Sequence, residues 1–172
     1  MLRIADPATA FSLFAALLCL MLPGAARSRD VAGTAAVVSA NVIAVGDTRI
    51  RLAGIEGPRP DLICIRDDDE WECGRSAVDY MREVIGGQTV RCTVQAEASD
   101  HEAPNHGMIA RCLAGRDDLA LKMVLAGYAF AYRREGDEYT ELEGVARRLR
   151  RGLWASDFVL SWDGSGGSDR PR

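Results

Sequence analysis

Four cysteines constrain this chain more than any other residues: Cys64, Cys73, Cys92 and Cys112. An even set in a chain bound for an oxidising compartment reads as two disulfides, and each disulfide tolerates only a narrow separation of its α-carbons. Any fold must therefore bring these positions together in pairs, although the count alone leaves the connectivity open. Zinc is the competing use of four thiols. Structural zinc sites take closely spaced cysteine pairs, whereas eight, eighteen and nineteen residues separate these. Disulfides are the expectation.

Disulfides require export, and the first residues supply a route. From Phe11 to Leu22 runs an apolar stretch of twelve residues, well short of the roughly 20 that a membrane-crossing helix needs. Arg3 precedes it, Pro23-Gly24 ends it, and Gly24-Ala25-Ala26 offers the small residues that a signal peptidase inspects. We expect residues 1–26 to be a cleaved signal peptide and the mature protein to be periplasmic or secreted, with no membrane span left. Cys19 follows Leu17-Leu18, where a lipoprotein signal would want small residues, so a lipid anchor is not expected.

The remaining chain, 48% hydrophobic and 27% charged overall, can bury one core. We place a single domain at 27–162 and a disordered tail at 163–172, where the chain runs Gly164-Ser165-Gly166-Gly167-Ser168. Losing Arg3 and Asp6 leaves the net charge of −4 unchanged. That sign argues against a nucleic-acid binder relying on a basic field alone. Lys122 is the sole lysine among 21 basic residues, a bias that coding composition explains as readily as selection for bidentate arginine.

Ala35 to Val38 and Val42 to Val45 read as extended, and Gly46-Asp47 turns the chain into Thr48-Arg49-Ile50-Arg51-Leu52. Alternation there puts Ile50 and Leu52 on one face and Arg49 and Arg51 on the other, leaving the core together. From Pro58 to Cys73 an irregular loop carries Asp67-Asp68-Asp69-Glu70, and no core is expected in it. Ala77, Met81, Val84 and Ile85 then share a helical stripe that Gly86-Gly87 stops. Thr89 to Val94 and Met108 to Leu113 are the next strands, which puts Cys92 and Cys112 on antiparallel neighbours able to bridge. Cys64 and Cys73 would then close the irregular loop. Asp117 or Asp118 caps a short apolar helix that Gly127 ends. A last helix has Tyr139, Leu142, Ala146, Leu149 and Leu153 as its buried stripe and Arg147, Arg148, Arg150 and Arg151 on its wet face. Three strands, a helix, two strands and two helices fit an α+β fold: a five-stranded Greek-key barrel of the oligonucleotide-binding type with three helices.

Three segments together resemble the staphylococcal nuclease (thermonuclease) family, whose members are small calcium-dependent phosphodiesterases on such a barrel. Arg49-Ile50-Arg51-Leu52-Ala53-Gly54-Ile55-Glu56-Gly57-Pro58-Arg59 is similar to the family's R-I-R-L-x-G-I-D-A-P-E. Trp71-Glu72-Cys73-Gly74 resembles its W-x-C-G, and the segment 139–154 resembles its closing Y-x3-E-x2-A-R…G-L-W, with four residues here between Arg147 and Gly152. In register, the resemblance covers roughly residues 34–162.

Cutting a phosphodiester in this way needs carboxylates to hold the metal, a base for the attacking water and arginines on the charged transition state. The resemblance implies that little of this is kept. Asn41 falls on the first metal-binding aspartate, and Glu56 on the second, a vestigial ligand one methylene longer. Arg59 falls on the catalytic glutamate, a charge reversal. The second catalytic arginine falls at Gly107, and Arg111, four residues along the strand or ~13 Å, is no simple substitute. Arg51 alone matches a catalytic position; its plainer reading is a strand arginine paired with an acidic neighbour. Asp61 is a candidate stand-in for the lost glutamate, and Asp100, His101, Glu102 and His106 are a candidate metal cluster in a loop, where such residues also occur by chance.

We therefore expect an exported thermonuclease-like protein with lost or strongly impaired phosphodiester hydrolysis, acting as a binding or accessory module. No cofactor is expected, calcium being the one implied if the protein is active. A divergent metal-dependent nuclease with a relocated site is the first alternative, and an accessory protein in envelope or exopolysaccharide assembly is the second. Nucleic acid or an envelope protein is the candidate partner.

Overall fold

The computed structural model describes residues 30–97 and 107–157. The expected signal peptide, the tail and the candidate cluster at Asp100, His101, Glu102 and His106 lie outside the described residues.

Five strands close into a barrel: β1 (Asp30–Ser39), β2 (Val42–Val45), β3 (Thr48–Leu52), β7 (Thr89–Glu97) and β8 (Met108–Ala114). Their order is β3-β2-β1-β7-β8, and a parallel pairing of β3 with β8, Arg51 opposite Ile109, joins the two ends. Short pieces complete the path: β4 (Ile55–Glu56), β5 (Cys64–Arg66), β6 (Asp69–Trp71), β9 (Asp117–Asp118) and β10 (Phe130–Ala131). The helices are α1 (Cys73–Ile85), α2 (Leu119–Leu125) and α3 (Thr140–Arg148), with a 3-10 turn at Gly152–Ala155. This is the closed α+β barrel expected.

Ile43, Ile50, Leu52 and Ile55 from the strands, Met81 from α1, and Leu119 and Met123 from α2 are fully buried in one cluster. Each such side chain contributes about 1.5–3 kcal/mol through burial. Helix α1 ends where Gly86 takes a left-handed conformation, and the Asp118 carboxylate caps α2 by accepting from the Leu121 amide at 3.1 Å. Both disulfides form as expected: Cys92 lies opposite Cys112 across β7 and β8, and Cys64 joins Cys73.

Two expectations are corrected. The segment between Pro58 and Cys73 does build a core. β5 and β6 form a hairpin turned at Asp67 and Asp68, both at positive φ, which aspartate tolerates better than most residues. The hairpin sets Cys64 and Cys73 against Phe130 and Leu153, with Trp71 and Trp154 alongside. The periodicity there is too short to announce a core, and the disulfide supplies the apolar contact that long side chains normally would.

The last helix also stops earlier than its pattern suggests. Arg150 at φ 49° and Gly152 at φ 52° turn the chain out of the helix. Gly152 approaches the Ala126 and Gly127 carbonyls so closely that a Cβ would lie 2.7 Å from each. Leu149 is consequently 57% exposed rather than buried, while Leu153 reaches the second core from the 3-10 turn. Arg147, Arg148, Arg150 and Arg151 are exposed as expected.

Candidate functional site

Pairing of β2 with β3 places Val42 opposite Arg51, and the Leu52 amide donates to the Asn41 carbonyl at 2.8 Å. Residues ten apart in sequence thus become neighbours. After β3 the chain reverses through Gly54, at φ 73°, and β4 carries Glu56 back beside them. Only a residue without a Cβ suits Gly54, because an added Cβ would lie 2.9 Å from the Tyr139 ring. Gly57 is equally confined, its hypothetical Cβ falling 2.8 Å from that of Ala40. Asn41, Arg51 and Glu56 therefore form one constellation fixed by the barrel itself.

Asn41 is buried, and its amide links its neighbours. Ser39 Oγ donates to Asn41 Oδ1 at 3.0 Å, and Asn41 Nδ2 donates to Glu56 Oε1 at 3.2 Å. Burial pushes the Glu56 carboxyl above its ordinary value, more than the nearby Arg51 charge and the Asn41 hydrogen bond hold it down. The site favours a proton on Glu56 more than water does.

Arg51 departs from the wet-face expectation. It is only 9% exposed, and its guanidinium grips Glu135 through both Nη atoms, the Nη1–Oε2 contact being 3.4 Å. The same Glu135 Oε2 accepts from the Gly54 amide at 2.8 Å, and the guanidinium lies over the Tyr132 ring, 5.8 Å from its centre. What buries Arg51 is a segment nearly eighty residues further on. β10 pairs with β4, Phe130 opposite Glu56, and the Tyr132 amide donates to the Gly54 carbonyl at 2.9 Å. Glu135 carries no motif of its own; the aromatic run before it, followed by acids ahead of α3, was the only signal near it.

Arg59 does not join the constellation. It is exposed and paired with Asp61, Nε to Oδ1 at 3.0 Å and Nη2 to Oδ2 at 2.5 Å. Hydrogen bonds from Arg59 hold the Asp61 carboxyl below its ordinary value. Asp61, the candidate stand-in, is thereby tied to Arg59 at the surface. Gly107 precedes β8 near Arg49, and among the described residues an added Cβ would meet the Arg49 carbonyl at 3.5 Å, an ordinary van der Waals contact. Arg111 points elsewhere, to Asp118 at 2.8 Å and Glu138 at 2.9 Å.

Calcium takes roughly six to eight oxygen ligands, several of them anionic. Asn41 and Glu56 offer one carboxylate between them. One of its oxygens already accepts from the amide, and burial favours its neutral form. Glu135, the other carboxylate at hand, is bound to Arg51. Among the described residues no group of three or more His, Cys, Asp or Glu could hold a metal ion. These side chains do not fit the cation that the resemblance implies, so no step can be routed through it.

The sequence profile describing staphylococcal nuclease homologues matches residues 49–156, more than half of the chain and the segment that carries Arg51, Glu56 and Glu135. No curated protein matches the chain. With a closed barrel beneath the matched segment, the chain belongs to the staphylococcal nuclease homologue family.

Proposed function

We propose that this is an exported nuclease-fold protein in which phosphodiester hydrolysis is lost or strongly impaired, and which acts as a binding or accessory module. The observation that carries this reading is the closure of Arg51. The one side chain at a matched catalytic position has its guanidinium occupied by Glu135. Around it, an amide takes the place of one metal-binding carboxylate, and the cation at the general-base position faces solvent. Arginine and a metal must both be free to meet developing charge if they are to stabilise it. Here neither requirement is met.

Export is supported by the two disulfides, which persist in oxidising compartments. No helix among the described residues is long and apolar enough to cross a membrane.

The test is cleavage of single-stranded DNA and RNA by the purified protein in millimolar calcium. No turnover is expected. Clear turnover that Arg51→Ala abolishes would sink the reading.

A further inference from the structure

Glu135 and Arg51 make more than a surface ion pair. Three donors converge on a single carboxylate: both Nη atoms of Arg51 and the Gly54 amide. The Arg51 side chain is 11% exposed and that of Glu135 is 21% exposed, so the contact is largely withdrawn from water. A planar guanidinium fork joined to a backbone N–H is the donor set that takes two oxygens of any oxyanion, phosphate as readily as carboxylate. All three donors belong to the barrel, Arg51 lying within β3 and Gly54 in the turn that follows it. The acceptor alone comes from outside the barrel.

That acceptor is carried on an exposed run, residues 133–138. The run is held mainly by its own turns, the Glu135 amide donating to the Tyr132 carbonyl at 3.0 Å and the Gly136 amide to the Arg133 carbonyl at 3.3 Å. Side chains tether it at its two ends, Arg133 contacting Glu143 at 3.7 Å and Glu138 pairing with Arg111 at 2.9 Å, while the Thr140 amide donates to the Asp137 carbonyl at 3.1 Å. The Glu135 side chain can therefore leave without unpacking the core. Glu56 lies close enough for its charge and that of Glu135 to act on each other. With Glu135 in place, an arriving anion meets two carboxylates against one guanidinium. With Glu135 swung out, it meets the guanidinium with only the Glu56 carboxyl nearby, whose burial favours its neutral form.

We propose that Glu135 is an intramolecular competitor that keeps an oxyanion site at Arg51 and Gly54 closed, and that a phosphate-bearing ligand binds only by displacing it. This rests on the reading of the site as one that binds rather than cuts. A tethered competitor acts at an effective concentration on the order of millimolar or above. A lone phosphate group displaces it poorly, and a ligand with further contacts along the barrel does so better.

The experiment titrates inorganic phosphate, and separately a single-stranded oligothymidylate, into the purified protein while following the Gly54 amide by NMR. Glu135→Ala and Glu135→Gln should respond at concentrations at least about tenfold lower than the parent protein, and the Arg51→Ala/Glu135→Ala double variant should lose the response. Should Glu135→Ala fail to fold, Glu135→Gln keeps an acceptor for the Gly54 amide without the charge and carries the test. Parent and variants responding alike, or folded variants not responding at all, would overturn the competitor role and leave the proposed loss of hydrolysis standing. Gain of oligothymidylate cleavage by Glu135→Ala would instead overturn that loss and support the competitor. A response to oligothymidylate but not to phosphate places the ligand on a nucleic-acid strand; a response to both supports a site for the phosphate group itself.

Discussion

Asn41 Nδ2 donates to Glu56 Oε1 at 3.2 Å, so the two residues that the resemblance implies as metal-ligand positions are bound to each other. Burial nevertheless holds the Glu56 carboxyl above its ordinary 4.5. The sign of the consequence is opposite to that of a salt-bridged acid. A carboxyl with a raised folded-state pKa leaves folding unopposed below its unfolded value, and stability declines as pH rises through the folded value.

Glu56→Gln removes that decline while keeping an acceptor for Asn41. The variant should be more stable than the parent at pH 7, with the difference vanishing near pH 4. Urea midpoints at the two pH values, read by tryptophan fluorescence, check this. A variant weaker than the parent at pH 7 would show that the Glu56 charge is a net asset to the fold.

Asn41→Asp tests the same pair from the other side. It replaces the Nδ2 donor with a second acceptor and sets two carboxylates in contact, while Ser39 can still donate to it. A lost donor in a buried contact costs about 1–3 kcal/mol, and like charge adds to the cost once both groups ionise. The variant should lose that much stability at pH 7 and recover toward the parent as the pH falls to 4. Equal loss at both pH values would show that shape rather than charge sets the cost.

The barrel was readable from strand alternation and turn residues, whereas Asn41, Arg51 and Glu56 were singled out by the family resemblance. β2, the turn at Gly46-Asp47 and β3 are contiguous, which is why Asn41 and Arg51 meet in the fold. Pairing of Cys92 with Cys112 was readable for the same reason, the two sitting on successive strands. Glu135 was not. It reaches Arg51 through a pairing of two-residue strands, β4 with β10, too short to leave a periodic signal. The burial of Arg51 was missed with it, since strand alternation describes two faces and cannot say that a distant loop covers one. Leu149 shows the converse failure, a helical period continuing past the point where Arg150 bends the backbone.

The disulfides differ in the chain they close. Cys64–Cys73 spans a sequence separation of 9 and Cys92–Cys112 one of 20. On loop-closure entropy the first constrains the unfolded chain by about 2.6 kcal/mol and the second by about 3.3 kcal/mol. Replacing each pair by serine should therefore cost somewhat more for Cys92 and Cys112. The Cys64–Cys73 loss should be the more local, loosening Trp71 and Trp154 in the second core. Chemical denaturation ranks the two, and tryptophan emission at zero denaturant reports the local effect. A Cys64/Cys73 variant with unchanged emission would show that the small core holds without its staple.

Tyr139 ties the site to the rest of the barrel, its ring against Gly54 and its hydroxyl bonded to the Asp118 carboxylate. Burial, with Asp118 and Glu138 adding to it, pushes the phenol from 10.0 to about 12. A neutral phenol in the folded state costs nothing below the unfolded value. Above it the unfolded chain releases a proton that the folded one retains, so stability falls as pH rises from 10 to about 12. Tyr139→Phe keeps the ring against Gly54 but removes both the hydrogen bond and the titration. It should lose about 1 kcal/mol at pH 7 and show a flatter decline than the parent on the alkaline side. Thermal unfolding from pH 7 to 11 measures both at once. Parallel curves for parent and variant would mean that the phenol titrates normally and that Asp118 is held by Arg111 and the Leu121 amide without it.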